Sequence, residues 1–315
     1  MSSSEHEHVA VGAIFNNVGE VLISQRAKNC HQGGLWEFPG GKLEQGESAQ
    51  AALVRELEEE LGIQVQQCRQ LIRVQHDYVD RQVLLDVWKV THFDGTASSR
   101  EGQPLCWINP ASLDERVFPA ADVAIIKRLQ LPHEYLITGA YKGPADFSQR
   151  LQTALDRGIR LLQLRAAPDD VDDYALLVKN ALEQCRPYGA KLLLNISVTE
   201  FAEHKADGLH LNSSRLMACD QRPVGEDKYL SASVHNEMEL AQANRIGVDF
   251  IMLSPVLPTQ SHPGAATLGW DGFQALVNKS HSPVFALGGM DASHLELARE
   301  KGAQGIAAIT AFWGR

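Results

Sequence analysis

The sequence lacks several features that would place the protein in other classes. No apolar run reaches the roughly 18 residues that a membrane-spanning helix needs, and the N-terminal residues MSSSEHEH have neither the basic start nor the apolar run of a signal peptide. The five cysteines are scattered, odd in number and form no C-x-x-C pair, so neither disulfides nor a cysteine zinc site is predicted. We therefore expect a cytoplasmic protein without membrane association, whose thiols are reduced and lie mostly in the core.

Basic residues are in the minority, with 29 Lys and Arg against 39 Asp and Glu and a formal net charge of −10. Because no basic stripe is present to displace counterions from phosphates, direct binding to nucleic acid is not expected. A polyanionic small molecule would have to bind together with a metal ion. The length of 315 residues predicts two domains, and nothing in the composition indicates an oligomeric state.

The most informative segment is residues 41–63, GKLEQGESAQAALVRELEEELGI. Ala49 to Leu61 are good helix formers, Ser48 is available as an N-cap, and Gly62 is placed to end the helix. A step of roughly 100° per residue puts one apolar and one acidic arc on this helix. The apolar arc consists of Leu53, Val54, Leu57 and Leu61, and the acidic arc consists of Glu56, Glu59 and Glu60.

Carboxylates at these spacings repel one another by a few tenths of a kcal/mol per pair, so a cation is expected beside the acidic arc. Carboxylate oxygens suit a hard divalent ion, Mg²⁺ or alternatively Mn²⁺. Such an ion could neutralise bridging oxygens and acidify a water while a carboxylate accepts its proton. The segment therefore predicts metal-assisted hydrolysis of a pyrophosphate bond, with Glu56 as the first candidate for the base.

The same residues spell G-x5-E-x7-R-E-U-x-E-E-x-G-U, the signature of the Nudix hydrolases, from Gly41 to Ile63. Residues 9–130 also resemble the MutT-type members of that family, through QRAKNCHQGGLWEFPGGKLEQGE, REGQPLCW and VFPAAD. The resemblance implies an α/β/α sandwich with a mixed sheet over residues 1–132. It also implies hydrolysis of 8-oxo-dGTP to the monophosphate and pyrophosphate, a sanitising reaction that supports DNA repair.

The resemblance further implies the roles of individual residues. The expected metal ligands are the carbonyl of Gly40 and the side chains of Glu56, Glu59, Glu60 and Glu101. The expected catalytic residues are Glu56, Glu101 and Arg55, with Glu101 as the second candidate for the base. The residues expected around the nucleotide are Arg26, Phe38, Lys42, Tyr78, Arg81 and Asp122.

Asp122 departs from the family pattern, which usually has Asn at this position. An amide both donates and accepts, whereas an ionised Asp only accepts. It could accept from N1–H, from the 2-amino group of guanine or from the N7–H of an 8-oxo purine, but it would repel the O6 carbonyl. An oxidised purine nucleotide remains the first choice of substrate.

From Tyr135 the pattern changes to short apolar runs, each followed by an amphipathic stretch. Strands that alternate with helices predict parallel βα units, and eight of them close a (β/α)8 TIM barrel over residues 133–315. The predicted strands lie at 135–138, 160–165, 191–195, 208–211, 229–234, 250–254, 284–289 and 305–309.

This region is similar to thiamine phosphate synthase and to its relative, the thiazole tautomerase, through QLR, LLLN, DGLHL, SASVHN, LSPVLPTQSHPGA, ALGGM and GIAAIT. Four positions depart from the synthase. Ala167 and His262 stand where it has lysines, and Ile196 and about Arg215 stand where it has the aspartates that hold Mg²⁺. Because these groups neutralise a leaving pyrophosphate, thiamine phosphate synthesis is not expected.

Other features of such a barrel remain, so a thiazole or phosphate ligand is expected there. Gly288 and Gly289 follow the seventh strand in the usual place of a phosphate site. The other expected ligand-site residues, at the carboxyl ends of strands, are Arg165, Asn195, Ser233 and His235.

Three hypotheses follow. The first is a Mg²⁺-dependent MutT-type diphosphatase with a degenerate or ligand-binding barrel. The second is a bifunctional thiamine-pathway enzyme, in which the Nudix half hydrolyses thiamine or pyrimidine pyrophosphates and the barrel acts as a tautomerase or synthase. In the third, the barrel is a ligand-sensing or oligomerisation module.

Overall fold

The computed structural model describes residues 7–28, 32–78, 82–114, 117–166, 173–225, 227–259, 264 and 266–314. Contacts divide the chain into two compact units, Met1–Gln130 and Leu131–Arg315, and each is described by itself. Within the described ranges, no helix is both long enough and apolar enough to cross a membrane.

In its described residues, the first unit contains two sheets and two α-helices. The mixed sheet has the order β4-β1-β6-β5, with β1 parallel to β6 and the other neighbours antiparallel, and the second sheet has the antiparallel order β3-β2-β7. The strands are β1 (Glu7–Ile14), β2 (Val21–Gln25), β3 (Trp36–Glu37), β4 (Gly40–Lys42), β5 (Gln64–Asp77), β6 (Gln82–Asp94) and β7 (Leu105–Ile108). The helices are α1 (Ala49–Leu61) and α2 (Val123–Gln130).

The side chains of β1 alternate between two apolar cores, one on each face of the mixed sheet. Ala10 and Ile14 belong to the core that contains Leu53 and Leu57 of α1. Val11 and Ala13 belong to the core on the other face, which contains Ile125 and Ile126 of α2. A helix therefore covers each face, and the predicted α/β/α sandwich is confirmed.

Helix α1 begins and ends at the predicted residues. Ser48 Oγ accepts a hydrogen bond from the Ala51 N–H at 3.2 Å, and Gly62, at φ 71°, donates its N–H to the Glu58 carbonyl. The buried stripe differs slightly from the predicted one, because Ala52 is buried while Val54 is only half-buried.

The second unit is a closed parallel barrel in the order β8 to β15, which confirms the predicted fold. Its strands are β8 (Glu134–Ile137), β9 (Leu161–Leu164), β10 (Lys191–Leu194), β11 (Gly208–Leu211), β12 (Tyr229–Val234), β13 (Phe250–Leu253), β14 (Val284–Leu287) and β15 (Gly305–Ala308). The helices are α3 (Pro144–Asp156), α4 (Tyr174–Cys185), α5 (Val198–Phe201), α6 (Ser213–Ala218), α7 (Glu237–Ile246), α8 (Gly269–Val277), α9 (Leu295–Glu300) and α10 (Thr310–Trp313).

The cysteines are less buried than the sequence suggested. Of those that the structure describes, Cys185 is buried, Cys68 and Cys219 are half-buried, and Cys106 is exposed; all four are free thiols. The expectation that most lie in the core was wrong, because Cys68 and Cys106 lie on strands of the first unit with only part of their side chains covered.

Candidate functional site

Arg55 ties the loop that precedes α1 to the acidic arc of that helix. Its guanidinium donates two hydrogen bonds to the Glu47 carboxylate, at 3.1 and 2.9 Å, and one to the Lys42 carbonyl at 3.1 Å. It also donates to Glu56 at 2.7 Å. These charge-assisted bonds are of the strong kind, so Arg55 fixes the orientation of the Glu56 carboxylate.

Gly41 makes room for this arrangement, since a Cβ at this position would overlap the carboxylate of Glu56. Gly40 has a similar constraint, because at φ 149° its Cα approaches the backbone of Ala10 on β1 more closely than a side chain would permit. The two glycines therefore bring β4 against both β1 and the acidic helix.

The carboxylates on this side of the first unit crowd one another. Burial, followed by the negative charges of Glu101, Glu37 and Glu56, raises the pKa of Glu60 to about 8, although a hydrogen bond from the Gly40 backbone opposes this rise. Glu59 is exposed, and its carboxylate lies 3.4 Å from Arg55. Glu37 was not predicted as a site residue, although it is the last residue of β3 and directly precedes Phe38.

The chemistry of this donor set fits a hard divalent cation. In the described residues, no three His, Cys, Asp or Glu side chains lie close enough to hold a metal ion together. However, Glu60 is a half-buried carboxylate that burial and like charges keep protonated, and a cation would stabilise the charged form of such a group. Glu56, Glu59, Glu60, Glu101 and the Gly40 carbonyl are the groups that would hold it.

Next to these carboxylates lies a cleft of about 230 Å³, lined by Arg26, Glu37, Phe38, Tyr78 and Asp122 among others. Asp122 lies in a 3₁₀ turn just before α2 and is 6% exposed. Burial, with a smaller effect of the Glu37 charge, raises the pKa of Asp122 to about 8, and Arg26 opposes this rise. At neutral pH Asp122 is therefore a neutral carboxylic acid.

Three other residues expected around the nucleotide make contacts with neighbouring side chains or backbone. Arg26 forms an ion pair with Glu37, and the Tyr78 hydroxyl accepts a hydrogen bond from the Ala121 N–H at 3.3 Å. Phe38 is buried and stacks on Phe118 with ring centroids 5.6 Å apart.

Lys42 and Arg81 complete the set of residues expected around the nucleotide. The Lys42 ammonium lies 3.1 Å from a Glu7 carboxylate oxygen and is largely exposed, although Lys42 lines the same cleft. Arg81 lies outside the described residues, so the structure does not place it.

The second unit has a polar cluster at the carboxyl ends of its strands. Arg215, in α6, donates a hydrogen bond to the side-chain oxygen of Asn195, which directly follows β10. Ile196, the next residue, is 1% exposed and offers no metal ligand. Arg165 follows β9, and its side chain is exposed.

The remaining expected barrel residues lie nearby along the same rim. His235 Nδ1 lies 2.7 Å from the Ser254 carbonyl, so this nitrogen carries a proton and donates it to that oxygen. Gly288 and Gly289 have φ values of 98° and 70°, and a Cβ on either would approach the segment that contains Pro255 and Leu257.

Ser233 belongs to a buried network that the sequence analysis missed. Its hydroxyl lies 3.0 Å from His210 Nε2, and the Ser231 hydroxyl lies 3.0 Å from His210 Nδ1. Burial, with a smaller effect of the Arg215 charge, lowers the pKa of His210 to about 3, so this imidazole is neutral. The signal was available as a polar position that alternates with Leu209 and Leu211 in GLHL.

Comparisons with known proteins agree with these two folds. A NUDIX domain model matches residues 10–128, and a model described as thiamine monophosphate synthase matches residues 134–312. An 8-oxo-dGTP diphosphatase of Escherichia coli is 38% identical over 122 residues, which are 39% of this chain and 95% of that protein. The CTP pyrophosphohydrolase of the same organism is 38% identical over 117 residues, which are 37% of this chain and 87% of that protein.

A thiamine-phosphate synthase of Desulfitobacterium hafniense is 31% identical over 180 residues, which are 56% of this chain and 87% of that protein. The fold and the acidic site of the first unit define a hydrolase that acts on pyrophosphate bonds. The chain belongs to the Nudix family through its first unit and to the thiamine monophosphate synthase family through its second.

Proposed function

We propose that the first unit hydrolyses 8-oxo-dGTP with water to 8-oxo-dGMP and pyrophosphate and requires Mg²⁺ or Mn²⁺. The observation that carries this proposal is the position of the crowded carboxylates of α1 beside a cleft whose polar wall contains the buried Asp122. The 8-oxo-dGTP diphosphatase relative supports the choice of nucleotide.

Different residues would hold the metal ion, orient the base and accept the proton of water. A bound divalent ion would neutralise phosphate oxygens and acidify a water. Glu56 accepts a proton from the attacking water, and Arg55 orients its carboxylate by donating a hydrogen bond to it at 2.7 Å. Arg26 and Lys42 are the nearby cations for the phosphate and base of the nucleotide.

An ionised Asp122 would repel the O6 carbonyl of guanine, but the protonated form does not. A neutral carboxylic acid donates one hydrogen bond and accepts others, so it offers a purine edge the same pattern as the amide that is usual in the family. Its hydroxyl can donate to O6, which an ionised carboxylate would repel, while its second oxygen accepts from the purine N–H. The neutral form of Asp122 thus supports an oxidised guanine as the base.

Steady-state kinetics on 8-oxo-dGTP and dGTP test this choice, with wild type and Asp122→Asn measured at neutral pH. We expect kcat/KM to be at least tenfold higher for the oxidised nucleotide in both proteins. Equal kcat/KM on the two nucleotides would refute the sanitising role.

A second candidate substrate is a pyrimidine nucleotide. The CTP pyrophosphohydrolase relative is as similar as the 8-oxo-dGTP diphosphatase, at 38% identity each. Including CTP in the same assays distinguishes the two, since faster turnover of CTP would select this alternative. Thiamine diphosphate in the panel tests the thiamine-pathway hypothesis in the same way.

For the barrel we propose ligand binding without thiamine phosphate synthesis. The supporting observation is that Ile196 is buried and Arg215 contacts Asn195, so a cationic group stands where the resemblance places a metal-binding aspartate. An assay for thiamine phosphate formation from a pyrimidine diphosphate and a thiazole phosphate should show no product. Product formation above the uncatalysed rate would overturn the proposal.

A further inference from the structure

The guanidinium of Arg215 spans two neighbouring strand ends at the rim of the barrel. Arg215 follows β11, and its Nη2 donates to Asn195 Oδ1 beyond the end of β10. In parallel barrels these carboxyl ends form the face on which ligands bind. The Nε of Arg215 is buried and has no hydrogen-bond partner among the residues that the structure describes.

Tyr174 presents a second donor of the same kind. It opens α4, which follows the end of β9, and the whole residue is 7% exposed. Its hydroxyl is also buried without a partner in the described part of the chain, and it lies close enough to Arg215 for the two groups to interact electrostatically. Buried donors are satisfied in nearly all proteins, so two that are unpaired in one place indicate a missing acceptor.

Among the residues that the structure describes, the acidic and titratable neighbours of Arg215 and Tyr174 do not supply that acceptor. The Glu200 carboxylate lies near Arg215, but it accepts hydrogen bonds from the Ser197 N–H and hydroxyl at 2.9 and 2.6 Å as part of a capping box. His210 is neutral and bonded to two serines. Arg165, exposed at the end of β9, adds a second positive charge to the same rim.

We propose that Arg215, Tyr174 and Asn195 form an oxyanion site that binds a phosphorylated ligand without a divalent metal. The guanidinium supplies the fixed positive charge, and Arg215 Nε, the Tyr174 hydroxyl and the Asn195 amide donate to phosphate oxygens. Ile196, an apolar residue, leaves no ligand for a metal at this point. The site is independent of the hydrolytic activity of the first unit.

Titration calorimetry on the full chain in excess EDTA tests this site, with inorganic pyrophosphate and inorganic phosphate as probes. We expect wild type to bind at least one of them and Arg215→Gln to bind it roughly tenfold or more weakly. Tyr174→Phe, which removes only the unpaired hydroxyl, should weaken binding about threefold, and Arg215→Lys should lie between wild type and Arg215→Gln.

The matched control is Arg157→Gln, which removes the same charge from an exposed residue that ends α3 at the opposite rim. Its affinity should equal that of wild type. Absence of binding to both probes in EDTA would overturn the proposal. Equal weakening in Arg215→Gln and Arg157→Gln would also overturn it, because the effect would then reflect net charge alone.

Discussion

The two units collect opposite charges at their sites. In the first unit, burial together with the negative charges of Glu101, Glu37 and Glu56 raises the pKa of Glu60 to about 8. In the second unit, Arg215 places a fixed positive charge at the barrel rim. A phosphate-bearing ligand therefore needs an added cation at the first site and none at the second.

This difference shows that the reaction follows from a few side chains and not from the fold. The barrel belongs to a synthase family. However, Ile196 and Arg215 stand at the positions where the resemblance implies metal-binding carboxylates. The first unit keeps every residue of its motif, from Gly41 to Ile63. We thus propose that ligands of the same class, phosphate esters or anhydrides, are hydrolysed in one unit and bound in the other.

The largest expected effect is that of Glu56→Gln. Because this change removes both a negative charge and the proposed base, kcat on 8-oxo-dGTP should fall roughly 10³-fold. Glu58→Gln is the control, since Glu58 lies on the same helix but is exposed and outside the acidic arc. If Glu56→Gln retained near-normal kcat, the assignment of the metal-binding face would be wrong.

A smaller effect is expected from the ionisation of Asp122. The neutral form predominates below its pKa of about 8 and is lost as the pH rises through that value. Relative to Asp122→Asn, whose amide does not titrate, wild-type kcat/KM on 8-oxo-dGTP should fall about tenfold between pH 7 and pH 9. A wild-type to variant ratio that does not change with pH would show that the proton of Asp122 is not used.

Stability should depend on pH in opposite directions at His210 and Asp122. The pKa of His210 is lowered to about 3, so its contribution is present above the unfolded value near 6.5 and is lost as the pH falls toward 3. The pKa of Asp122 is raised, so its contribution is present below about 4 and is lost as the pH rises through 8.

Scanning calorimetry at pH 5 and pH 8 tests the direction of the pH dependence expected for each residue. The decrease in Tm from wild type to His210→Gln should be smaller at pH 5 than at pH 8. At pH 5 the wild type is already destabilised, because folding keeps the buried His210 neutral below its unfolded pKa. Asp122→Asn should raise the Tm more at pH 8 than at pH 5. Identical changes in Tm at the two pH values would contradict the assigned environments.

The smallest effect concerns the support of the acidic helix. Ser48→Ala removes the hydrogen bond to the Ala51 N–H and should lower the free energy of unfolding of the first unit by about 1 kcal/mol. Ser214→Ala, at an exposed hydroxyl of the barrel, serves as the comparison and should leave stability unchanged. Denaturant unfolding of the two variants measures this difference. An equal loss of unfolding free energy in both would exclude the role of Ser48 as N-cap.

The parts of the structure that depend on local pattern were predictable from the sequence. Helix α1, with its caps at Ser48 and Gly62, and the barrel strands follow from spacing over short windows. Strand β5 was not predicted, because polar residues dominate it and register shifts interrupt its alternation between Val65 and Ile72.

The properties of the site depend instead on residues that are distant in sequence. The neutral state of Asp122 results from burial and from the charge of Glu37, which belongs to another segment. The contact of Arg215, in α6, with Asn195, which follows β10, joins two segments of the barrel that the sequence did not link. Side-chain burial and charge contacts of this kind follow from the assembled fold and have no signature in spacing.

The most direct test of the contrast between the two units is a Mg²⁺ titration from excess EDTA upward, with two readouts on the same protein preparation. One readout is 8-oxo-dGTP hydrolysis, and the other is the Arg215-dependent binding of pyrophosphate, obtained as the difference between wild type and Arg215→Gln. We predict that hydrolysis is absent in EDTA and rises with Mg²⁺, while the Arg215-dependent binding is already complete in EDTA. Hydrolysis in EDTA, or Arg215-dependent binding that appears only with Mg²⁺, would contradict the account.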